Sequence, residues 1–274
     1  MNTPWVTPTL FVSHGAPTFA LEPGRSGPQL TAVGAQLDRP QAIVLVSPHW
    51  MTRGVCVSGA LEPETLYDFG GFDRRLLQMR YPAPGHPALA QRVAALLSGD
   101  GWPVAVDPVR GLDHGAWVPL MHLFPQADIP VVQVSMPVDL DGPSAWRLGR
   151  ALRPLATEGV LVMGSGSLTH NLYEVQFGST EQARYAQEFT QWIRAAVQAG
   201  HTEHLVDAIA QAPHAQRAHP TAEHYFPLLV ALGAAPQALP VTVLDGGIEH
   251  CVLAMESYVF GRELALEVSN GSVT

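Results

Sequence analysis

The chain predicts an α/β fold: one domain over residues 1–274, a three-layer sandwich with a largely parallel or mixed central sheet flanked by helices. Three observations point there. Short runs rich in Val and Ile recur along the chain. Several are apolar without strict alternation, the pattern of strands buried on both faces. Between them lie stretches with apolar residues at three-to-four spacing, which read as helices covering the sheet.

The strand-like runs, in order, are Thr9 to Ser13, Ala42 to Ser47, Val55 to Ser58, Val104 to Val106, Val131 to Met136, Gly159 to Met163 and Val241 to Leu244. A helix is predicted over Pro87 to Ser98, where Leu89, Val93, Leu96 and Leu97 share a face. Another spans Glu181 to Ala199, with Tyr185, Phe189, Trp192, Ile193 and Val197 on one side. Ser144 to Glu158 and Glu223 to Leu232 complete the set. No repeat, Ser/Gly linker or charge block divides the chain.

Composition narrows the function classes. An apolar share of 47% in 274 residues supplies a large core. A formal charge of −9 repels phosphate backbones and anionic lipid, so nucleic acid and membrane are not expected partners. No apolar run is long enough to span a bilayer, and Met1 to Pro8 lacks the features of a signal peptide, which predicts a cytoplasmic protein. Two cysteines are too few for a disulfide framework or thiolate zinc site, and Cys56 reads as a small buried thiol. The sequence leaves the oligomeric state open.

The unusual number is twelve histidines. In open α/β sheets ligands bind beyond the carboxyl ends of strands, so polar residues that follow apolar runs are where chemistry is sought. His14 closes the first run and His49 the second; His170 follows the sixth after a Gly/Ser turn, Gly164-Ser165-Gly166-Ser167. One such histidine is ordinarily structural, but several on one sheet edge favour a metal or proton-transfer site. His114 stands in a loop between glycines beside Asp113, an acid placed to orient its ring, and His224 stands at the start of a helix beside Glu223. His86, His122, His201, His204 and His214 read as structural or solvated, and His250 as a weaker candidate for the same pocket. No phosphate-loop, dinucleotide or serine-hydrolase glycine pattern is present.

Seven segments together carry a resemblance. They are Phe11-Val12-Ser13-His14-Gly15-Ala16-Pro17, Ser47-Pro48-His49-Trp50, Tyr67-Asp68-Phe69-Gly70-Gly71-Phe72, Tyr81-Pro82-Ala83-Pro84-Gly85, Gly111-Leu112-Asp113-His114-Gly115, Gly164 to Leu172, and Glu223-His224-Tyr225-Phe226-Pro227-Leu228. In this order the chain resembles the 4,5-DOPA dioxygenase branch of the class III extradiol ring-cleaving dioxygenases, nearly end to end. The resemblance implies that His14, His49 and His224 bind one divalent metal ion, with Glu223 as the rival third ligand. It implies His170 as acid/base and His114 as a pocket histidine oriented by Asp113. His219 departs from the pattern and stays outside the ligand set.

The reaction implied is ring opening of a catechol such as DOPA by O2, with Fe(II) as the working metal and Zn(II) a plausible bound ion. Three ligands on one face of the metal leave room for the diol and for dioxygen. A histidine near neutral pKa suits the transfer of the hydroxyl proton. Tyr67, Phe69, Phe72 and Tyr225 are candidate aromatic walls, with core packing as the competing role. Arg53, Arg74, Arg75 and Arg110 are candidate anchors for a substrate carboxylate, against ordinary ion pairing. Two other functions fit the same histidines: a zinc hydrolase on this scaffold, and a non-catalytic metal-binding partner protein.

Overall fold

A computed structural model describes residues 6–266. Eight strands form one mixed sheet: β1 (Thr9–Ser13), β2 (Ala42–Thr52), β3 (Val55–Ser58), β4 (Val104–Asp107), β5 (Val131–Pro137), β6 (Val160–Gly166), β7 (Val241–Leu244) and, after a small two-stranded ribbon of β8 (Ile248–Glu249) and β9 (Leu253–Ala254), β10 (Ser257–Phe260). Their order is β4-β3-β5-β2-β6-β1-β10-β7. The centre, β5-β2-β6-β1, is parallel, while β10 and β7 run antiparallel at one edge and β3 is antiparallel to β5 near the other.

Alternate side chains of the central strands enter two separate cores. Phe11, Val44, Val46, Val132, Val134 and Val162 face one side. That side is covered by α2 (Pro87–Gly99), α4 (Gly142–Leu152), α5 (Arg184–Ala199) and α9 (Phe226–Ala234). Leu10, Val12, Ile43, Leu45, Leu161 and Met163 face the other, under α1 (Ser26–Gln36) and α3 (His114–Leu123). The continuous apolar runs follow from this double burial. Three short helices, α6 (Thr202–Val206), α7 (Ala208–Gln211) and α8 (Ala215–Ala218), lead from α5 to α9.

Local chemistry sets the helix ends. The Asp141 side chain accepts from the Ser144 amide at the start of α4, and His86 Nδ1 accepts from the Leu89 amide at the start of α2. The predicted helix over Ser144 to Glu158 stops earlier. It ends at Leu152 and tightens into a 3-10 segment, Arg153–Glu158, because Pro154 has no amide hydrogen to continue the ladder. The predicted helix over Glu181 to Ala199 begins at Arg184, and that over Glu223 to Leu232 begins at Phe226. Cys56 is half-buried rather than enclosed.

Register brings three carboxyl ends together. Val12 of β1 lies beside Ser165 of β6, and Val46 of β2 lies beside Gly164, so β2, β6 and β1 finish side by side. The chain crosses over between all three, which opens a crevice at their ends. Two glycines deepen it: a Cβ on Gly164 would overlap the carbonyl of Pro227, and one on Gly166 would overlap that of His224. Their absence of side chains lets the segment before α9 settle on β6 and delivers His224 to the crevice.

Candidate functional site

His14 follows β1 directly, and its amide donates to the carbonyl of Gly166 at 2.9 Å. The next residue, Gly15, has φ +59 and turns the chain away beneath Met255. His49 does not close its strand, as the sequence suggested, but sits within a longer one. The pairing of β2 with β5 shifts register between Val46 and Met51, and this irregularity re-aims His49 toward the crevice. His224 precedes α9, and His170 follows β6 with its amide on the carbonyl of Ala218 at 2.8 Å.

The four rings meet. His14 and His49 lie with ring centroids 5.0 Å apart, His14 and His224 5.5 Å, and His49 and His224 5.2 Å. His170 stacks on His224 at 3.4 Å with planes 8° apart. One nitrogen each of His14, His49 and His224 falls within 4.8 Å of the others, which is compatible with one shared ion. Glu223 is not in that group but forms a second one with His170 and His224, as Asp68 forms a third with His49 and His114; the Glu223 carboxylate lies 3.1 Å from Nδ1 of His224.

The surrounding oxygens fix which nitrogen faces inward. Ser165 Oγ donates to the carbonyl of Gly115, so toward Nδ1 of His14, at 3.0 Å, it acts as acceptor. The proton of His14 therefore sits on Nδ1 and leaves Nε2 with a free lone pair. Glu223 does the same for His224, whose Nε2 is buried and meets no partner. For His49 no such bond exists: its Nδ1 lies 3.7 Å from Asp68, beyond hydrogen-bond distance, and its Nε2 lies 3.1 Å from that of His14, within it. Histidine ligands of metals characteristically have the second nitrogen engaged by an oxygen in this way. Burial pushes the pKa of His14 and His224 well below the usual value and that of His49 down to about 3, with mutual repulsion of the rings adding to it. All three are neutral near pH 7, the form that binds metal. The donor set fits a divalent cation, and a buried acceptor without a hydrogen-bond partner is otherwise costly.

His114 opens α3 instead of standing in a loop, and Asp68 orients it, not Asp113. Asp68 accepts from the His114 amide at 2.9 Å and from Nδ1 at 3.0 Å, so Nε2 of His114 is an acceptor toward the crevice. Burial opposes the charge on Asp68, but the hydrogen bonds and proximity of His114 hold its pKa below the ordinary carboxylate value. Asp113 is fully buried beneath the bulge of β2. It accepts from Ser47 Oγ at 2.9 Å, from Arg110 at 3.2 Å, and from Gln133. Arg110 also reaches the carbonyl of His49 at 3.4 Å and lies over Trp50. That network holds the irregular strand that carries His49.

The crevice holds a cavity of about 140 Å³, lined by the five histidines 14, 49, 114, 170 and 224 and walled by Phe69, Phe72, Leu172, Phe177 and Leu253. Two of the expected aromatic walls lie elsewhere. Tyr225 is wholly buried, with its hydroxyl donating to the carbonyl of Leu205 at 2.8 Å; it points into the core on the opposite side from His224. Tyr67 donates to the carbonyl of Met79 at 2.7 Å and packs edge-on to Phe69, which it supports from behind. His219 is buried with Nε2 on the carbonyl of Leu168, outside the cluster. His250 faces Phe177 and not the cavity. Neither Phe177 nor Leu172 carries a sequence signal for this role; only the fold brings them here.

Comparison with known proteins agrees with this geometry. Residues 9–261 match the family described as the catalytic LigB subunit of aromatic ring-opening dioxygenase. The chain is 40% identical to a 4,5-DOPA dioxygenase extradiol of Beta vulgaris, over 92% of this chain and 96% of that protein. It is 40% identical to a protein of the same name from Escherichia coli strain K12, over 93% and 94%. A crystal structure of an uncharacterized protein from Escherichia coli K12 superposes with a TM-score of 0.78 at 35% identity, covering 93% of this chain and all of that one. The family does not favour the hydrolase or the non-catalytic reading. This chain belongs to the aromatic ring-opening dioxygenase family and is a metal-dependent, non-haem extradiol ring-cleaving enzyme that acts on a small aromatic substrate with O2.

Proposed function

We propose that the chain is one catalytic domain, working in the cytoplasm, that opens the ring of a catechol, of which DOPA is one, with His14, His49 and His224 holding a single Fe(II). Zn(II) suits the same three imidazoles as a bound ion. The observation that carries this reading is the convergence of the three rings: Nδ1 of His14 and of His224 each meets an oxygen, Nε2 of His14 lies 3.1 Å from that of His49, and Nε2 of His224 is buried without a partner. Fe(II) held by these three rings would supply acidification of the catechol diol and the redox chemistry with O2.

The remaining work falls to this chain's own side chains. Burial lowers the pKa of His170 to about 4, so its ring is neutral near pH 7 and able to accept the second hydroxyl proton of the diol. Its stacking on His224 places it against the ligand set without removing it from the cavity wall. His114, held by Asp68, offers Nε2 as a hydrogen-bond acceptor to a catechol hydroxyl. Phe69 and Phe72, packed edge-on to each other at 5.9 Å, wall one side of the cavity, give the aromatic ring an apolar surface and exclude water.

Anaerobic loading with Fe(II), followed by a catechol and oxygen, tests it. The expected result is stoichiometric oxygen uptake with a yellow ring-opened product, lost in His14→Ala. Uptake unchanged in that variant would refute the ligand assignment.

A further inference from the structure

We propose that His219, which the sequence left outside the ligand set, is a positioning residue: its imidazole fixes the turn that presents His170 to the substrate. The inference rests on the reading of His170 as the proton acceptor. Among the described residues nothing holds the His170 ring by a hydrogen bond, whereas His14, His114 and His224 each meet an oxygen. The ring stacks on His224 at 3.4 Å, 8° from parallel, but a face-to-face contact is non-directional and lets it slide. Where the ring stands is therefore set by the backbone of residues 168–170.

That backbone is clamped from one side by Ala218 and His219. The His170 amide donates to the carbonyl of Ala218 at 2.8 Å, and Nε2 of His219 donates to the carbonyl of Leu168 at 2.9 Å. From the other side Ser13 Oγ accepts from the Leu168 amide at 3.2 Å, and Thr169 Oγ1 accepts from the Ala254 amide at 2.8 Å. His219 is 3% exposed and enclosed by the rings of Phe189 and Tyr225, at 5.4 and 5.6 Å. Because a carbonyl only accepts, the proton of the neutral ring is on Nε2, and Nδ1 is left as a buried acceptor without a partner. An unmet acceptor in the core costs stability. An apolar ring would pack between Phe189 and Tyr225 without that cost, so what imidazole adds here is its N–H on Leu168. The carbonyl it holds lies just before Thr169 and His170, which makes the clamp part of the site's geometry.

The test combines oxygen uptake by the Fe(II)-loaded full chain on catechol with amide hydrogen exchange of the metal-free chain. His219→Phe keeps a ring and deletes the N–H, His219→Asn is too short to reach the carbonyl, and His219→Gln keeps an N–H at the reach of Nε2. In His219→Phe and His219→Asn kcat should fall about tenfold, with KM and iron content within about twofold of wild type, since His14, His49 and His224 are untouched. Exchange should quicken in residues 166–171 and stay unchanged in the central strands. His219→Gln should bring kcat and exchange back to within about threefold of wild type. An unchanged kcat, a loss of iron that accounts for the loss of activity, or a His219→Gln no better than the other two would overturn the inference. Should His219→Phe not fold, His219→Asn against His219→Gln decides in the same way. His170→Asn separates this inference from the reading it rests on. If that variant lowers kcat and the His219 variants do not, this inference alone falls; if it leaves kcat unchanged, the proton-transfer reading falls and takes the inference with it.

Discussion

Asp68→Asn separates the proton-handling part of the site from the metal-holding part. In the protein the carboxylate accepts from both the backbone amide and Nδ1 of His114, at 2.9 and 3.0 Å. An amide of the same shape can accept only one of these bonds. With its oxygen on the backbone amide, its NH2 group faces Nδ1 and drives His114 to the other tautomer, so Nε2 changes from acceptor to donor. One charge-assisted hydrogen bond is worth about 1.5–3 kcal/mol. At about 1.4 kcal/mol per decade, kcat/KM should fall roughly 10- to 100-fold. His49 Nδ1 lies 3.7 Å from the same oxygen, beyond hydrogen-bond distance, so its hold on the metal does not depend on that carboxylate and metal content should change little. Steady-state oxygen uptake at saturating Fe(II), paired with metal analysis of the same sample, reads both. An unchanged kcat/KM, or a loss that added Fe(II) fully restores, would refute the tautomer argument.

Further outcomes follow from other parts of the site. Ser165→Ala removes the acceptor for Nδ1 of His14 and strands the carbonyl of Gly115; chelator competition should show metal affinity down about 10- to 100-fold. Gly166→Ala pushes the carbonyl of His224 off β6, and metal content measured after gel filtration should fall below half of wild type while the sheet's far-ultraviolet signature persists. His219 is buried away from the ligand set, and burial lowers its pKa to about 4. Between pH 4 and 6.5 the unfolded chain binds this proton and the folded chain does not, so stability should rise with pH across that window and be flat above it. The contribution is about 3 kcal/mol at most, and urea melts of metal-free protein at stepped pH, with His219→Gln as reference, should show it. Arg194→Ala leaves Glu256, 1% exposed, without its cation, and should cost about 3 kcal/mol in the same melts.

Much of the fold was legible because the central strands are buried on both faces and therefore stand out as apolar runs ending at His14 and beyond Val46. The elements that escaped are those with weak patterns. Helix α1 carries Gly27, Pro28 and Gly34, and Gly34 is there to let α1 approach the carbonyl of Leu123. Helix α3 contains Gly115 and Pro119. Strand β10 is four residues, and its place next to β1 depends on a long-range pairing that no local periodicity encodes.

The site divides in the same way. The five histidines could be singled out because strand ends and helix starts are where this fold presents ligands. Asp68 and Ser165 could not. Asp68 lies in a loop before two glycines, far in sequence from the His114 it orients, and Ser165 is one hydroxyl within the last residues of β6. Neighbouring residues in the chain also misled: Asp113 abuts His114 and Tyr225 abuts His224, yet successive residues at a helix start point in different directions. Asp113 turns under β2, and Tyr225 turns into the core.

The most direct measurement is equilibrium dialysis of the metal-free chain against Fe(II) without oxygen, for wild type and for His14→Ala, His49→Ala and His224→Ala. The account predicts one ion per wild-type chain and at least a hundredfold weaker binding in each variant, with the fold of all four intact by circular dichroism. A wild-type chain that binds no ion, or variants that bind one as tightly as wild type, would contradict it.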